Sequence, residues 1–283
     1  MVERRPLIDA LSHAVMLLGV ALIGFPIYLA VVAATHSAPE MTQAPIPIWF
    51  GDQAWVNFRA VLLGEGKGLN SQLPVWRMLW VSTVIGLMVP VGKIIISVLS
   101  AFAIVYFRFP FRKTVFWAIF ITLMLPVEVR IGPTYQVMAD FGLVNTYAGL
   151  TVPLMASATA TFLFRQFFLT IPDELVEAAR MDGASPMRFF WDVLLPLSRT
   201  NIAALFVIQF IYGWNQYLWP LLMSTRENMY PIVVGIRSIA AGADAQVQWN
   251  LVMATALLAL LPPALVVLLM QKWFVKGLVD IEK

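Results

Sequence analysis

A chain of 283 residues with 60% hydrophobic and only 12% charged side chains is not an ordinary soluble domain, in which about a quarter of residues are charged. Its mean hydropathy of +0.80 points instead to a chain that crosses a membrane several times. Cysteine is absent and the two histidines, His13 and His36, stand in no ligand spacing, which excludes disulfides and leaves no metal motif, while the net charge of +3 matters less than where the cations fall.

Arg4 and Arg5 lie in a short polar start, and residues 12–34 follow as an apolar run. At about 1.5 Å per residue that run is long enough to cross a hydrocarbon core of about 30 Å. A secretory leader has an apolar region of only about 7–15 residues, so a retained first span is expected. Residues 35–77 form a connector in which Pro39, Pro45 and Pro47 favour extended chain, while Asp52 to Leu63 suit a surface helix. Gly64-Glu65-Gly66-Lys67-Gly68 has a superficial likeness to a phosphate loop. It lacks that motif's first glycine and follows no strand, so it reads as plain loop.

The second span, 78–105, carries Lys93 near its middle. A charge there costs about 2.5–3.5 kcal/mol, and each neighbouring Val, Ile or Leu returns about 0.3–0.6, so the span is tenable. Lys93 is open to two readings: a cation held in the bundle for structural reasons, or one facing the path of an anion. The third span, 114–135, contains Glu128 and Arg130, which two residues apart cannot share a helix face. Either the helix breaks near Pro126, or each pairs elsewhere; a role in a pathway or gate is equally open. The fourth span, 147–168, holds Pro153 and a small polar run, Ala156 to Thr161, suited to close helix packing. Arg165 is expected to snorkel to the interface.

Residues 169–200 form a polar island with explicit punctuation. Pro172, Asp173 and Glu174 open a helix, because proline suits a first turn and carboxylates favour the positive end of the dipole. Asp182-Gly183 ends it, since glycine supplies the left-handed residue that a helix C-terminus needs. Ser185 then caps a second short helix with Pro186 in its first turn, and Pro196 limits it. Two short helices at a fixed bend make a knob suited to docking. The fifth span, 201–223, places Gln209, Tyr212 and Gln216 at i, i+3 and i+7, with Asn215 beside them. Such a polar stripe either bonds between helices or lines a cavity. Trp214, Tyr217 and Trp219 are expected to be interfacial aromatics. The sixth span is 251–274, and no internal repeat supports a secondary transporter built of inverted halves.

Arginines and lysines divide unequally between the two sides. Arg4, Arg5, Arg108, Arg112, Lys113, Arg165, Arg180, Arg188, Arg199, Lys272, Lys276 and Lys283 fall on one side, against Arg59, Lys67, Arg77, Arg130, Arg226 and Arg237 on the other. The richer side is cytoplasmic, which puts both termini and the knob there.

Glu177-Ala178-Ala179, two residues, Asp182-Gly183, nine residues, then Val193-Leu194-Leu195-Pro196 resembles the signature loop of ABC importer permeases, with Val193 where that family usually has isoleucine. Residues 122–131, 153–168 and 210–220 resemble, more narrowly, the second permease subunits of sn-glycerol-3-phosphate importers, within the maltose-type group. The chain departs from that family's pattern over 226–249 and in the outer connector.

The resemblance implies an all-α transmembrane fold: a six-helix bundle of the type I importer permeases, one domain over residues 1–283, with a cytoplasmic coupling loop at 169–200. It implies uptake of sn-glycerol-3-phosphate, or of glycerophosphodiesters, across the bacterial inner membrane; a maltose-type sugar permease stays open, as does a secondary transporter or channel. Glu177, Ala178, Ala179, Asp182, Gly183, Arg188 and Pro196 would couple to the ATPase. Lys93, Glu128, Arg130, Gln209, Tyr212, Asn215 and Gln216 are candidates for the substrate pathway. The implied partners are a sister permease, two ATPase subunits carrying ATP and magnesium, a periplasmic binding protein and membrane lipid, with no nucleic acid. This chain itself would bind no cofactor or metal and perform no catalysis.

Overall fold

A computed structural model of the chain describes residues 6–65, 74–122, 127–240 and 247–279. Among the described residues every regular element is helical. The chain forms two compact units, Met1–Trp76 with Gly235–Leu261, and Arg77–Val234 with Pro262–Lys283.

In the first unit α1 (Pro6–Ala34) is apolar all round, as a helix in lipid can be. Within the connector, α2 (Ala38–Thr42) replaces the extended chain expected at Pro39. Proline fits there because it sits in the first turn, where no intrahelical donor is required. The Ser37 amide donates to the Glu40 carboxylate at 2.9 Å, and this bond holds the Glu40 carboxyl below its ordinary range. The expected surface helix is α3 (Ala54–Leu63), ended by Gly64 at a φ of 72°. It is more than a surface element, since Asn57 and Val61 are buried. Asn57 Nδ2 donates to the carbonyls of Ala34 at 2.9 Å and His36 at 2.8 Å, which the end of α1 leaves without intrahelical donors. Thr35 receives the Gly51 amide on its hydroxyl and the Gln53 amide on its carbonyl, each at 2.8 Å. Of the glycine-rich pentapeptide, Gly64 is thus a helix cap, and residues 66–68 lie outside the described residues.

The second unit is built on α4 (Val75–Tyr106), which Lys93 divides into two packing zones. Toward one end, Val81, Ile85 and Val89 pack with Leu150 and Leu154 of α7 (Tyr147–Met155). Toward the other, Ile94, Val98, Ala101 and Phe102 pack with Ala160, Phe164 and Phe168 of α8 (Ala158–Phe168). The expected third span comprises α5 (Arg112–Ile121) and α6 (Val127–Asp140), with residues 123–126 outside the described ones. The fourth is broken: α7 and α8 meet at a 45° bend.

After α9 (Asp173–Met181) comes a rod from Pro186 to Leu197, made of α10 (Pro186–Phe189), a π-helical turn (Phe190–Leu194) and α11 (Leu195–Leu197). The rod bends by 69° at Ser198 into α12 (Arg199–Trp214). Pro196 therefore does not stop the helix before it, as the sequence suggests. The chain absorbs it by shifting to i→i+5 bonding, with the Leu195 amide on the Phe190 carbonyl.

The expected fifth span also stops early, because α12 ends at Trp214 and the chain turns before α13 (Leu218–Met223). Trp214 and Trp219 are accordingly buried rather than interfacial. Trp219 Nε1 donates to the Gly149 carbonyl at 3.0 Å. That carbonyl is the one Pro153, four residues on, cannot serve. Where α4 crosses α12 the approach is close: a Cβ on Gly213 would lie 3.3 Å from the Ile85 carbonyl. The remaining helices are α14 (Ile232–Ala240) and α15 (Trp249–Val279), whose Asn250 donates to Asn57 Oδ1 at 2.9 Å. By length and apolarity Leu7–Ala34, Val75–Tyr106 and Trp249–Gln271 each suffice to cross a membrane, and two bent pairs do so jointly, α7 with α8 and the rod with α12.

Candidate functional site

Two sites stand out in the second unit. The first is a cavity of about 560 Å³ bordered by α4, α5, α6, α12 and the break between α7 and α8. Lys93, 6% exposed, projects from α4, and its Nζ donates to Gln209 Oε1 of α12 at 2.7 Å. The same ammonium lies 4.0 Å from the centre of the Tyr212 ring, a cation–π contact. Arg130 of α6 borders the cavity too, and none of its described lining residues is acidic. A salt-bridged lysine would have its charge cancelled. Here an amide oxygen and a ring face orient the ammonium while leaving its charge in place.

The helix break adds polar groups. Ser157 accepts the Ala160 amide on its hydroxyl at 3.3 Å and starts α8 afresh in the middle of the span. Ser157, Thr159 and Thr161 line the cavity with Ser100 and Thr122. Sequence reasoning reads that run as packing residues; the available signal is Pro153 followed four residues later by a serine able to cap a helix.

The candidate pathway residues are thus partly gathered. Lys93, Arg130, Gln209 and Tyr212 share one cavity. Glu128 lies in α6, its side chain outside the described residues. Asn215 and Gln216 do not line the cavity, because α12 ends at Trp214 and the i+7 position is no longer helical. Asn215 is the C-cap, and Gln216 Nε2 turns back to the Tyr212 carbonyl at 3.2 Å.

The second site is the knob. At the end of α9 the Ala184 amide bonds the Ala179 carbonyl at 2.9 Å and the Gly183 amide bonds the Arg180 carbonyl at 3.0 Å. With Gly183 at a φ of 71°, this is a Schellman closure. Ser185 accepts the Arg188 amide at 3.2 Å, and Arg188 Nε reaches Asp192 at 3.3 Å. A groove of about 300 Å³ between α9 and the rod is lined by Ala178, Ala179, Asp182 and Arg188 among others. Glu177 is exposed on α9 outside it, and Met181 and Met187 are exposed as well. Pro196 borders a different cavity, with Trp191, Arg199, Phe206 and Met270. The knob's inner side is anchored: Phe189, Phe190 and Leu194 enter the same cluster as Phe102, Phe164 and Leu205.

Apolar helices able to cross a membrane, a broken helix over a cationic cavity and an exposed but anchored two-helix knob define a membrane-embedded transport subunit. The chain belongs to the family described as binding-protein-dependent transport system inner membrane component, whose pattern matches residues 93–280. It is 57% identical over 283 residues, all of both chains, to a protein of Brucella melitensis named sn-glycerol-3-phosphate transport system permease protein UgpE. Proteins of the same name from Pectobacterium atrosepticum and Agrobacterium fabrum are 58% and 56% identical, again over the full length of both. Among solved structures, a bacterial ABC transporter involved in import of the acidic polysaccharide alginate matches with a TM-score of 0.81 at 22% identity. It covers 97% of this chain and 99% of its own, and so shares the fold.

Proposed function

We propose that this chain is the permease subunit of an ATP-driven importer that carries sn-glycerol-3-phosphate across the bacterial inner membrane. The observation that carries the proposal is full-length identity of 56–58% to permeases named for that solute. The cavity supports it chemically, since Lys93 and Arg130 offer two cations with no described acid to a solute bearing a phosphate. In this reading a sister permease supplies the other half of the path, and a periplasmic binding protein delivers the solute. Two ATPase subunits, which hold ATP and magnesium, dock on the knob from the cytoplasm, the side where both termini also lie.

The linkage is mechanical. The exposed outer side of the knob meets the ATPase, and its inner side is fixed through Phe189, Phe190 and Leu194 to α4, α8 and α12. Displacement of the rod acts through the Ser198 elbow on α12, which carries Gln209 and Tyr212. Those two groups hold the Lys93 ammonium, so movement of α12 presents or withdraws the charge.

The deciding experiment is co-purification of the chain with its partners in lipid, followed by ATPase assays. Binding protein loaded with glycerol-3-phosphate is expected to stimulate hydrolysis and maltose-loaded protein is not. Stimulation by the sugar alone would favour a maltose-type permease, and uptake that persists without any ATPase would overturn the importer reading.

A further inference from the structure

We propose that a cavity of about 510 Å³ bordered by the end of α4, by α5 and by α8 is a headgroup site for an anionic phospholipid of the cytoplasmic leaflet. Arg112, Lys113 and Arg165 line it, and no acidic residue does. Arg112 Nη1 reaches the carbonyls of Val105 at 3.5 Å and Phe107 at 3.4 Å, and Arg165 lies 4.2 Å from the centre of the Phe116 ring. Carbonyls and a ring orient these guanidinium groups without cancelling their charge. The sequence reading of Arg165 as a snorkelling residue accounts for its position but not for its company.

The rest of the wall is largely aromatic: Phe120 stands 6.1 Å from Phe116 and 5.6 Å from Phe162, centre to centre, with Trp117 exposed beside them. The combination selects the occupant. A soluble phosphate uses the cations and has no need of the wall. A zwitterionic lipid uses the wall but sets its own ammonium against three cations. An anionic phospholipid satisfies both, with phosphate on the cations and an acyl chain along the rings, at the depth where aromatic and basic residues gather. The inference rests on the membrane orientation proposed above and not on the identity of the solute.

The test uses the assembled importer in nanodiscs of phosphatidylcholine, with or without phosphatidylglycerol, and counts retained lipids by native mass spectrometry. Preferential retention of phosphatidylglycerol is expected, reduced about fivefold for each cation neutralised in Arg112→Gln and Arg165→Gln. Retention is expected to persist in Arg112→Lys and Arg165→Lys. Should the glutamine variants fail to assemble, Lys113→Gln, at an exposed position, gives a single step of the same size. Equal retention of both lipids, or a preference unchanged in the glutamine variants, overturns the proposal. Displacement of the lipid by excess inorganic phosphate would make a soluble anion the occupant, and a pocket closed by the sister subunit would retain no lipid; either result overturns it too. Lipid counting does not depend on transport, so its failure is separable from failure of the importer reading.

Discussion

Replacing Gly183 with valine perturbs the knob at one backbone angle and almost nothing else. The residue holds a φ of 71°, and a Cβ built on it meets nothing within 4 Å. The penalty is therefore conformational, about 1–2 kcal/mol for an L-residue in the left-handed region and more for a β-branched one. It acts against two closing hydrogen bonds, from Gly183 to Arg180 and from Ala184 to Ala179. Since α9 has no fully buried residue, little packing stands in reserve to hold the bend. A penalty of that size shifts the balance from bent to unbent by about five- to thirtyfold. Uptake by the assembled importer should fall by up to that factor while the amount of chain in the membrane stays constant and ATP hydrolysis loses its dependence on the binding protein. Gly183→Asn should stay near the parent, because asparagine tolerates this region, and Gly183→Ala should lie between. Normal uptake by the valine variant would refute the reasoning. Equal loss in the asparagine variant would show that bulk against a partner, not backbone angle, is what matters.

Other substitutions test the remaining joints. Lys93→Met should leave assembly intact, since the Gln209 amide it releases lines the cavity and can bond water there. It should cut glycerol-3-phosphate uptake about ten- to a hundredfold, the worth of one charge-assisted hydrogen bond; unimpaired uptake would return Lys93 to a structural role. Trp219→Phe orphans the Gly149 carbonyl beneath Pro153 and should cost about 1–3 kcal/mol, visible as a lower midpoint of thermal inactivation in detergent; an unshifted midpoint would refute that bond's role. Asn57→Ala frees the carbonyls of Ala34 and His36, at about 1–3 kcal/mol each, and should raise protease sensitivity in the connector; unchanged cleavage would exclude it as the fastener.

The knob was legible because its rules are local. Proline and carboxylates at a helix start, glycine at φ 71° and serine before proline each act within four residues, and all recur in the structure. The long apolar helices were legible for the same reason, since composition alone marks them. What escaped depends on partners distant in sequence. Trp219 is buried because a carbonyl 70 positions earlier lacks a donor, and periodicity holds no trace of that. Gln209 and Lys93 meet across 116 positions, which no pattern along one helix can announce. A polar stripe that reaches Gln216 requires a helix that continues, and α12 stops first. The π-helical turn was hidden for a subtler reason: Pro196 forbids one hydrogen bond, and nothing local says whether a helix ends there or shifts its bonding by one residue.

The long-range contacts have a consequence for transport. Trp219 on Gly149 ties the helix after the α12 turn to α7, and Gln209 on Lys93 ties α12 to α4. An unbroken six-helix bundle with an appended knob would have to tilt as a whole to move a buried charge. In this structure rod and α12 meet at an elbow, and α7 and α8 meet at a bend beside the cavity, so a small rotation of the rod can act on α12. The rod's aromatic anchors, Phe189 and Phe190, lie in a cluster with Ile94 and Val98, the first and fifth residues after Lys93 on α4. In the proposed mechanism, force applied at the knob would therefore reach both sides of the Lys93–Gln209 bond, through α4 and through α12.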